Sequence, residues 1–243
     1  MFKIYHFNKL NSTNDKAKNF KENAVIIADE QTKGKGRFKR TWNSGKGGIY
    51  LSIVLPEKDA SYLTFISAIS AQKAIKNIYS LKTMIKWPND LLYKKSKLCG
   101  ILTEIKDNKA IVGIGINTNN NAPLELKNKA TSLSKILNQE INNKKIINKL
   151  LNYLEKYLKL LRNKKYSKII NDWKKLSFLG EKVKIKTLNK TIEGIAYDID
   201  KECFLIVKTN KLSNSKNFKG LEKPKIFQKG KKIRIIEGDI FIK

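Results

Sequence analysis

The loop from Gln31 to Arg37, with the sequence Gln-Thr-Lys-Gly-Lys-Gly-Arg, carries residue types suited to binding an anion. Gly34 and Gly36 let the backbone approach a ligand closely. Lys35, Arg37 and free backbone amides offer hydrogen-bond donors to phosphate or carboxylate oxygens. The loop lacks the third glycine of a dinucleotide fingerprint and the spacing of a Walker A loop, and similar loops are often only solvated surface. It therefore needs support from other motifs.

Three further segments supply that support. The first is Lys86-Trp87-Pro88-Asn89-Asp90, a combination that the compositional bias of the chain would not readily produce. Its purely structural interpretation is a strand end with a rigid turn, because Pro88 stops a strand ladder. The second and third are Lys97-Leu98-Cys99-Gly100-Ile101-Leu102 and Gly113-Ile114-Gly115-Ile116-Asn117. The glycines of the third segment weaken a strand, which makes sense where a ligand or another backbone lies against it.

The charge balance of the chain is strongly basic, since 51 Lys and Arg stand against 21 Asp and Glu for a formal net charge of +30. Such a balance first suggests nucleic acid or another polyanion as a partner. Only four of the basic residues are arginine and the lysines are spread along the whole chain, which favours a general compositional bias over a binding patch. We expect polyanion binding that is nonspecific and sensitive to salt.

Histidine and cysteine are too scarce for several kinds of site. The single histidine is His6, and Cys99 and Cys203 show no C-x-x-C spacing. This argues against a zinc site, a disulfide framework and a hydrolase with a histidine-centred triad. We interpret His6 as a strand residue and Cys99 as a packed side chain. Neither a membrane span of roughly 18 apolar residues nor a secretion signal is evident, so we expect a cytoplasmic protein without membrane attachment.

Strands and helices alternate irregularly, which predicts an α+β fold with a mixed β-sheet. Strands are predicted over residues 2–7, 24–28, 49–55, 98–105 and 110–116. Helices are predicted after the capping residues 11–15, around 65–78 and over 142–161, where apolar residues recur at steps of three or four. Beyond residue 178 only short β segments follow, at 182–186, 191–196, 204–208 and 232–236. We predict a catalytic domain over 1–178 and a small C-terminal β-barrel domain over 179–243.

Taken together, the motifs resemble the biotin protein ligases in order and approximate spacing. The resemblance starts at Ser12-Thr13-Asn14, passes through the segments described above and Ala130-Thr131-Ser132-Leu133, and reaches Glu193-Gly194-Ile195-Ala196 and Gly238. It covers almost the whole chain, and the pentad from Lys86 to Asp90 is its most specific part. It implies the class II synthetase-like biotin-lipoate ligase fold with an SH3-like C-terminal barrel. The implied reaction uses ATP, with Mg²⁺, to convert biotin to biotinyl-5'-AMP and transfers the biotinyl group to a lysine of a carrier domain.

The resemblance also implies roles for individual residues. Ser12, Thr13 and Gln31 would bind the ureido ring of biotin, and Lys97 would contact the carboxylate and the α-phosphate. Trp42 and Asn117 would hold the adenine, and Asp90 would steer or deprotonate the acceptor lysine. The carboxylate and phosphates would be held by the glycine-rich loop, at Gly34, Lys35 and Arg37. The remaining candidate binding residues are Asn14, Gly36, Gly100, Gly113 and Gly115, and apolar side chains near Ile53 and Ile114 would line the slot for the aliphatic tail.

The chain departs from the family pattern at the glycine-rich loop. Arginine is typical where Lys35 stands, and arginine and glycine are common at the positions of Phe38 and Lys39, so the intermediate could be retained less firmly. The ligase motifs begin within a dozen residues of Met1, so we do not expect specific DNA binding by an N-terminal helix-turn-helix. The expected partners are the biotin carrier domain of a carboxylase and a second copy of the chain in a homodimer.

Two alternatives stay open from the residues. A lipoate ligase or transferase shares the fold, but its glycine-rich arginine signature is absent and the pentad is foreign to it. A basic nucleic-acid-binding module would explain the charge and leave Ser12-Thr13-Asn14 and the Lys97 segment without a purpose. The main hypothesis requires the segments around Gly34 and Lys97 to share one cavity, because activation must align two anions and stabilise added negative charge.

Overall fold

A computed structural model describes residues 2–121, 129–187, 190–214, 232–236 and 238–242. The N-terminal part contains seven strands: β1 (Lys3–Leu10), β2 (Ala24–Gln31), β3 (Ile49–Leu55), β4 (Met84–Lys86), β5 (Asp90–Tyr93), β6 (Ser96–Lys106) and β7 (Lys109–Ile116). They form a mixed sheet in the order β1-β2-β3-β7-β6-β5-β4, in which only β1 and β2 run parallel. The predicted α+β class is confirmed.

In the described residues, five helices accompany this sheet: α1 (Thr13–Ala17), α2 (Ala60–Tyr79), α3 (Leu133–Leu137), α4 (Asn143–Arg162) and α5 (Tyr166–Lys175). The long helix α2 packs its apolar side chains on β6 and β7 and against α4. Phe65 of α2 stacks on Trp173 of α5 with ring centroids 4.4 Å apart, and both side chains are almost fully buried. Helix α4 begins after Asn142, whose side chain accepts a hydrogen bond from the amide of Lys145. This cap satisfies one of the otherwise unpaired amides of the first turn.

The C-terminal part is a second, antiparallel sheet. Its strands are β8 (Lys182–Lys186), β9 (Lys190–Ile199), β10 (Leu205–Asn214), β11 (Lys232–Ile235) and β12 (Asp239–Ile242), in the order β11-β10-β9-β8-β12. The small all-β unit expected behind residue 178 is therefore present, although a domain boundary at that residue stays a prediction. Along the described helices, none combines the length and apolar character needed to cross a membrane.

The two sheets touch close to the Lys86–Asp90 pentad. The indole Nε1 of Trp87 donates a hydrogen bond of 2.8 Å to the carbonyl of Cys203, and the hydroxyl of Tyr62 donates one of 2.5 Å to the carbonyl of Lys201. Trp87 is 3% exposed. Trp87 of the pentad thus helps to join the N-terminal part of the protein to the C-terminal sheet.

Several elements were predicted with bounds close to the observed ones, and others were missed. Strand β3 has its predicted bounds, and α4 differs from its predicted range by one residue at each end. Strands β4, β5 and β12 and helices α3 and α5 were not predicted as elements. The first two are only three and four residues long and flank Pro88, where no periodicity can develop. Strand β2 extends to Gln31 rather than ending at Ala28, which places Gln31 at the entrance to the glycine-rich loop.

Candidate active site

One cavity gathers the motifs that the sequence places far apart. It has a volume of about 190 Å³ and opens to solvent beside the ends of β1, β2 and β5 and the strands β6 and β7. Its lining includes 13 of the 15 predicted site residues: Ser12, Thr13, Asn14, Gln31, Lys35, Gly36, Arg37, Trp42, Asp90, Lys97, Gly100, Gly113 and Gly115. The segments around Lys35 and Lys97 therefore share a cavity, as the main hypothesis requires.

A buried group of neutral polar side chains forms one end of the cavity. Ser12, Thr13 and Asn14 are each less than 5% exposed at the start of α1, where Ser12 caps the helix by accepting from the amide of Asp15. The side-chain oxygen of Gln31 accepts from the amide of Thr13 at 2.7 Å, and its Nε2 donates to Ser44 at 2.8 Å. Because both ends of the Gln31 amide are fixed, its orientation is set before a ligand arrives.

Protein side chains lie against the glycines of the cavity floor. A Cβ on Gly113 would stand 2.2 Å from Oδ1 of Asn14, and one on Gly115 would stand 2.4 Å from Nε1 of Trp42. A Cβ on Gly100 would stand 2.8 Å from the same indole. A ligand or another backbone was expected against Gly113 and Gly115, and the structure instead places the side chains of Asn14 and Trp42 there.

The glycine-rich loop is held by local contacts and an ion pair. Gly34 is buried, and a Cβ there would stand 2.3 Å from the carbonyl of Trp42, so this glycine serves the packing of the loop. Lys35 pairs with Asp15 at 2.6 Å. Burial would raise the pKa of Asp15, but hydrogen bonds from Lys18 and Lys35 outweigh it and lower the pKa.

Two non-glycine residues follow in the left-handed backbone region. Phe38 has φ 55° and Lys39 has φ 57°, within a short 3₁₀ turn from Arg37 to Lys39. The exposed Phe38 ring lies beneath the guanidinium groups of Arg37 and Arg40, whose Cζ atoms are 4.8 and 5.6 Å from its centroid. The loop thus presents two arginines at the cavity beside an aromatic ring.

Lys97 lies at the centre of the charged end of the cavity. Its Nζ is 2.7 Å from Oδ1 of Asp90 and 5.1 Å from the ring centroid of Trp42. The backbone of Lys97 accepts from the amide of Thr131 and donates to the carbonyl of Lys129, so the Ala130–Leu133 motif begins beside it. A lysine fixed at both backbone and side chain can place its charge reproducibly over the cavity.

Lys86 is a further cation of the same group that the sequence analysis did not single out. Its Nζ lies 4.0 Å from Asp90, and its side chain is 22% exposed. Burial lowers the pKa of Lys86, and Asp90 opposes this effect by favouring the charged amine. Lys86 pairs with Asp90 across β4 and β5, and the sequence did not show this register because neither strand was predicted.

The C-terminal sheet closes the charged end through Gly238, Asp239 and Ile240, which also line the cavity. Arg40 donates two hydrogen bonds to the carboxylate of Asp239, at 3.0 and 2.5 Å. The bond from Arg40 lowers the pKa of Asp239. Sequence reasoning missed this pair because its members are 199 positions apart.

Two predicted residues do not line the cavity. Gly34 faces the protein as described above, and Asn117 is 7% exposed with its side-chain oxygen accepting from Asn120 at 3.0 Å. The predicted contacts of these residues with a ligand stay untested. In the apolar wall, Ile114 is present and Leu51 takes the place expected for Ile53.

The arrangement is suited to bringing anions together. Within the described residues, no group of three or more His, Cys, Asp or Glu side chains could hold a metal ion. Cys99 is fully buried, and burial raises the pKa of its thiol, which makes it a poor nucleophile. The cavity instead offers cations at one end and neutral hydrogen-bonding groups at the other. An elongated ligand with a polar head and an anionic tail would match both ends.

Comparisons with known proteins agree with this chemistry. Residues 5–121 match the model of the biotin/lipoate A/B protein ligase family, and residues 178–243 match the biotin protein ligase C-terminal domain. The bifunctional ligase/repressor BirA of Bacillus subtilis is 35% identical over 226 residues, which are 85% of this chain and 69% of that protein. The biotin–[acetyl-CoA-carboxylase] ligase of Mycobacterium tuberculosis is 29% identical over 190 residues, or 74% of this chain and 71% of that protein.

A solved structure extends the similarity to the fold. The biotin protein ligase of Aquifex aeolicus, in complex with biotin and ATP, superposes with a TM-score of 0.82 at 25% identity and covers 99% of both chains. The two family models, the curated relatives and the solved structure thus agree with one another. The chain belongs to the biotin protein ligase family.

Proposed function

We propose that the protein is an ATP-dependent biotin–protein ligase that forms biotinyl-5'-AMP and transfers the biotinyl group to a lysine of a carrier protein. One observation carries the proposal: a buried neutral hydrogen-bonding end and a cationic end meet in a single cavity. Biotin has a neutral ureido head and a carboxylate tail, and its activation brings that tail against the phosphates of ATP. Lipoate has no groups that would use the hydrogen bonds of the buried end.

In the activation step, the carboxylate oxygen of biotin attacks the α-phosphorus, and the bond to the bridging oxygen breaks so that pyrophosphate leaves. Lys97 neutralises the negative charge added at the α-phosphate, while Lys35 and Arg37 hold the carboxylate and the other phosphates. No protein nucleophile is needed, since alignment and charge stabilisation supply the rate enhancement. Lys97 pairs with Asp90 at 2.7 Å, and because its ammonium group has three donors, it can keep this contact while another donor reaches the phosphate.

In the transfer step, the amine of the acceptor lysine attacks the activated carbonyl carbon and AMP leaves. Asp90 is 15% exposed at the cavity and is the carboxylate that we assign to orienting or deprotonating the amine. Asp90 has two carboxylate oxygens, so one can face the amine while the other pairs with Lys97. The transfer step would then follow the activation step through the same pair of residues.

Mg²⁺ enters with ATP in this proposal and is held mostly by phosphates. The carboxylates of the described cavity lining are Asp90 and Asp239, and both are engaged by cations, which fits a metal without a protein cage. The partner we assign is the biotin carrier domain of a carboxylase, in the cytoplasm. A homodimer is also part of the proposal, and β1 as an edge strand of the sheet is a surface it could use.

Calorimetry with biotin, lipoate and ATP, followed by mass spectrometry of the product, tests the function. We expect biotin to bind, lipoate not to bind, and biotin plus Mg-ATP to yield biotinyl-5'-AMP and pyrophosphate. Equal binding of lipoate, or binding of biotin without adenylate formation, would contradict the proposal.

A further inference from the structure

A chain of hydrogen bonds leads from the buried end of the cavity to a carboxylate behind it. Nδ2 of Asn14 donates to Oε2 of Glu104 at 2.6 Å. The hydroxyl of Ser52 lies 2.6 Å from Oδ1 of Asn14 and 2.8 Å from Oγ1 of Thr13. Glu104 lies on β6 and is absent from the cavity lining, so it can act on a ligand only through this chain.

The charge of Glu104 fixes the direction of every bond in the chain. A carboxylate only accepts, so Asn14 must turn its NH₂ group toward Glu104 and its oxygen toward Ser52. That oxygen carries no proton, and a separation of 2.6 Å requires one, so the single hydroxyl proton of Ser52 points at Asn14. Ser52 then has only a lone pair left for Thr13, and the hydroxyl of Thr13 donates inward to Ser52 or to Gln31, which lies 3.0 Å away.

The consequence for the cavity is that Thr13 turns a lone pair toward a ligand. With the proton of Thr13 committed to the protein, Oγ1 can accept a hydrogen bond from a ligand N–H and cannot offer its own. Ser52 is fully buried and Thr13 and Asn14 are each 4% exposed, so water does not readily supply an alternative partner.

We propose that Glu104 is a positioning residue that sets the hydrogen-bond polarity of the cavity end, through Asn14 and Ser52, so that Thr13 selects a ligand carrying an N–H group. The inference rests on the proposed function, because the ligand N–H is assigned to the ureido ring of biotin. A neutral side chain at position 104 would allow the amide of Asn14 to turn over. Ser52 would then donate its proton to Oγ1 of Thr13 and occupy one of the two lone pairs of that oxygen, which leaves Thr13 a weaker acceptor for the ligand N–H.

Glu104→Gln tests this directly, with the binding of biotin measured by calorimetry and pyrophosphate release measured over a range of biotin and ATP concentrations. We expect the Kd and KM for biotin to rise about tenfold or more, from the loss of a charge-supported hydrogen bond in a buried network. The KM for ATP and the kcat at saturating biotin should change much less. Glu30→Gln is the matched control, because it also neutralises a carboxylate, in this case one on β2 that pairs with Lys9 of β1.

A double variant distinguishes a change in hydrogen-bond direction from a general disruption of the site. Asn14→Asp alone places a second carboxylate against that of Glu104, and the repulsion should weaken biotin binding. In Asn14→Asp with Glu104→Gln, the new amide can donate to the new carboxylate, which still accepts from Ser52, so the original direction is restored. Recovery of most of the biotin affinity in the double variant is expected. If the losses of biotin affinity in the two single variants simply add in the double variant, the inference is wrong.

Wild-type binding separates this inference from the proposed function. If the wild-type protein does not bind biotin, the proposed function fails. If the wild-type protein binds biotin and Glu104→Gln binds it equally well, only the inference fails. Should Glu104→Gln not fold, Ser52→Ala cuts the chain while leaving Asn14 and Glu104 paired, and unchanged biotin affinity in that variant would equally overturn it.

Discussion

The two ends of the cavity use different interactions: neutral hydrogen bonds at the buried end and ion pairs at the charged end. At the buried end, Ser12, Thr13 and Gln31 bond to other protein groups in fixed directions and carry no charge. At the charged end, Lys35, Lys97 and Arg40 are each paired with a carboxylate. The first end offers hydrogen bonds in fixed directions, whereas the cations of the second end share their donors between carboxylates and any bound phosphate. The groups that select the vitamin can therefore stay in place while the cations near the reacting phosphate adjust their contacts.

Lys97→Ala is the strongest way to test the charged end. We expect adenylate formation to fall by roughly two orders of magnitude or more, because a preorganised charge at the reacting phosphate is lost. Biotin binding at the other end should change little. Pyrophosphate release and calorimetry measure the two effects, and Lys95→Ala, an exposed lysine of the neighbouring turn, is the control. Near-normal pyrophosphate release would remove Lys97 from the mechanism.

The pH dependence of ATP use should reveal Lys86. Burial lowers its pKa from the ordinary 10.5, Lys97 and Arg40 lower it further, and Asp90 and Asp239 raise it. Above this lowered pKa the amine is neutral and cannot pair with phosphate, so kcat/KM for ATP should fall, by about tenfold, at a pH below the usual lysine range. Lys86→Arg should remove this alkaline decline, because a guanidinium stays protonated. An identical profile in the variant would assign the decline to another group.

Asp239→Asn tests whether the C-terminal sheet belongs to the charged end. The KM for ATP should rise by a few fold, because Arg40 loses the carboxylate that holds it at the cavity. The free energy of unfolding should change by less than about 1 kcal/mol, since Arg40 is 60% and Asp239 is 40% exposed. A partial return of the KM in the reversed pair Arg40→Asp with Asp239→Arg would support the contact. No return, with both proteins folded, would speak against it.

The smallest effect concerns the backbone of the loop. Lys39 has φ 57°, a region where a side chain costs about 1 kcal/mol relative to glycine. Lys39→Gly should raise the free energy of unfolding by up to about that amount, with little change in biotin binding. Lys39→Ala removes the charge and keeps the Cβ, so it should not give the gain. Denaturant unfolding of both variants measures the difference, and an equal gain in both would assign it to the charge.

The sequence predicted the cavity better than it predicted the contacts inside it. Motifs such as Lys86–Asp90 and the glycine-rich loop carry information in residue type, and 13 of 15 candidates reached one cavity. Glu104, Ser52 and Asp239 were missed because their roles depend on contacts with residues far away in the sequence. A glutamate and a serine in strands look like ordinary residues until the register places them behind Asn14.

The bond between the indole of Trp87 and the carbonyl of Cys203 has a mechanical consequence. Trp87 stands between Lys86, which ends β4, and the Pro88-Asn89 turn that leads to Asp90 on β5. A displacement of the small sheet would therefore pull on one short hairpin and shift an ammonium group and a carboxylate together. A protein bound to the far side of that sheet could therefore change the rate of adenylate formation without contacting the nucleotide.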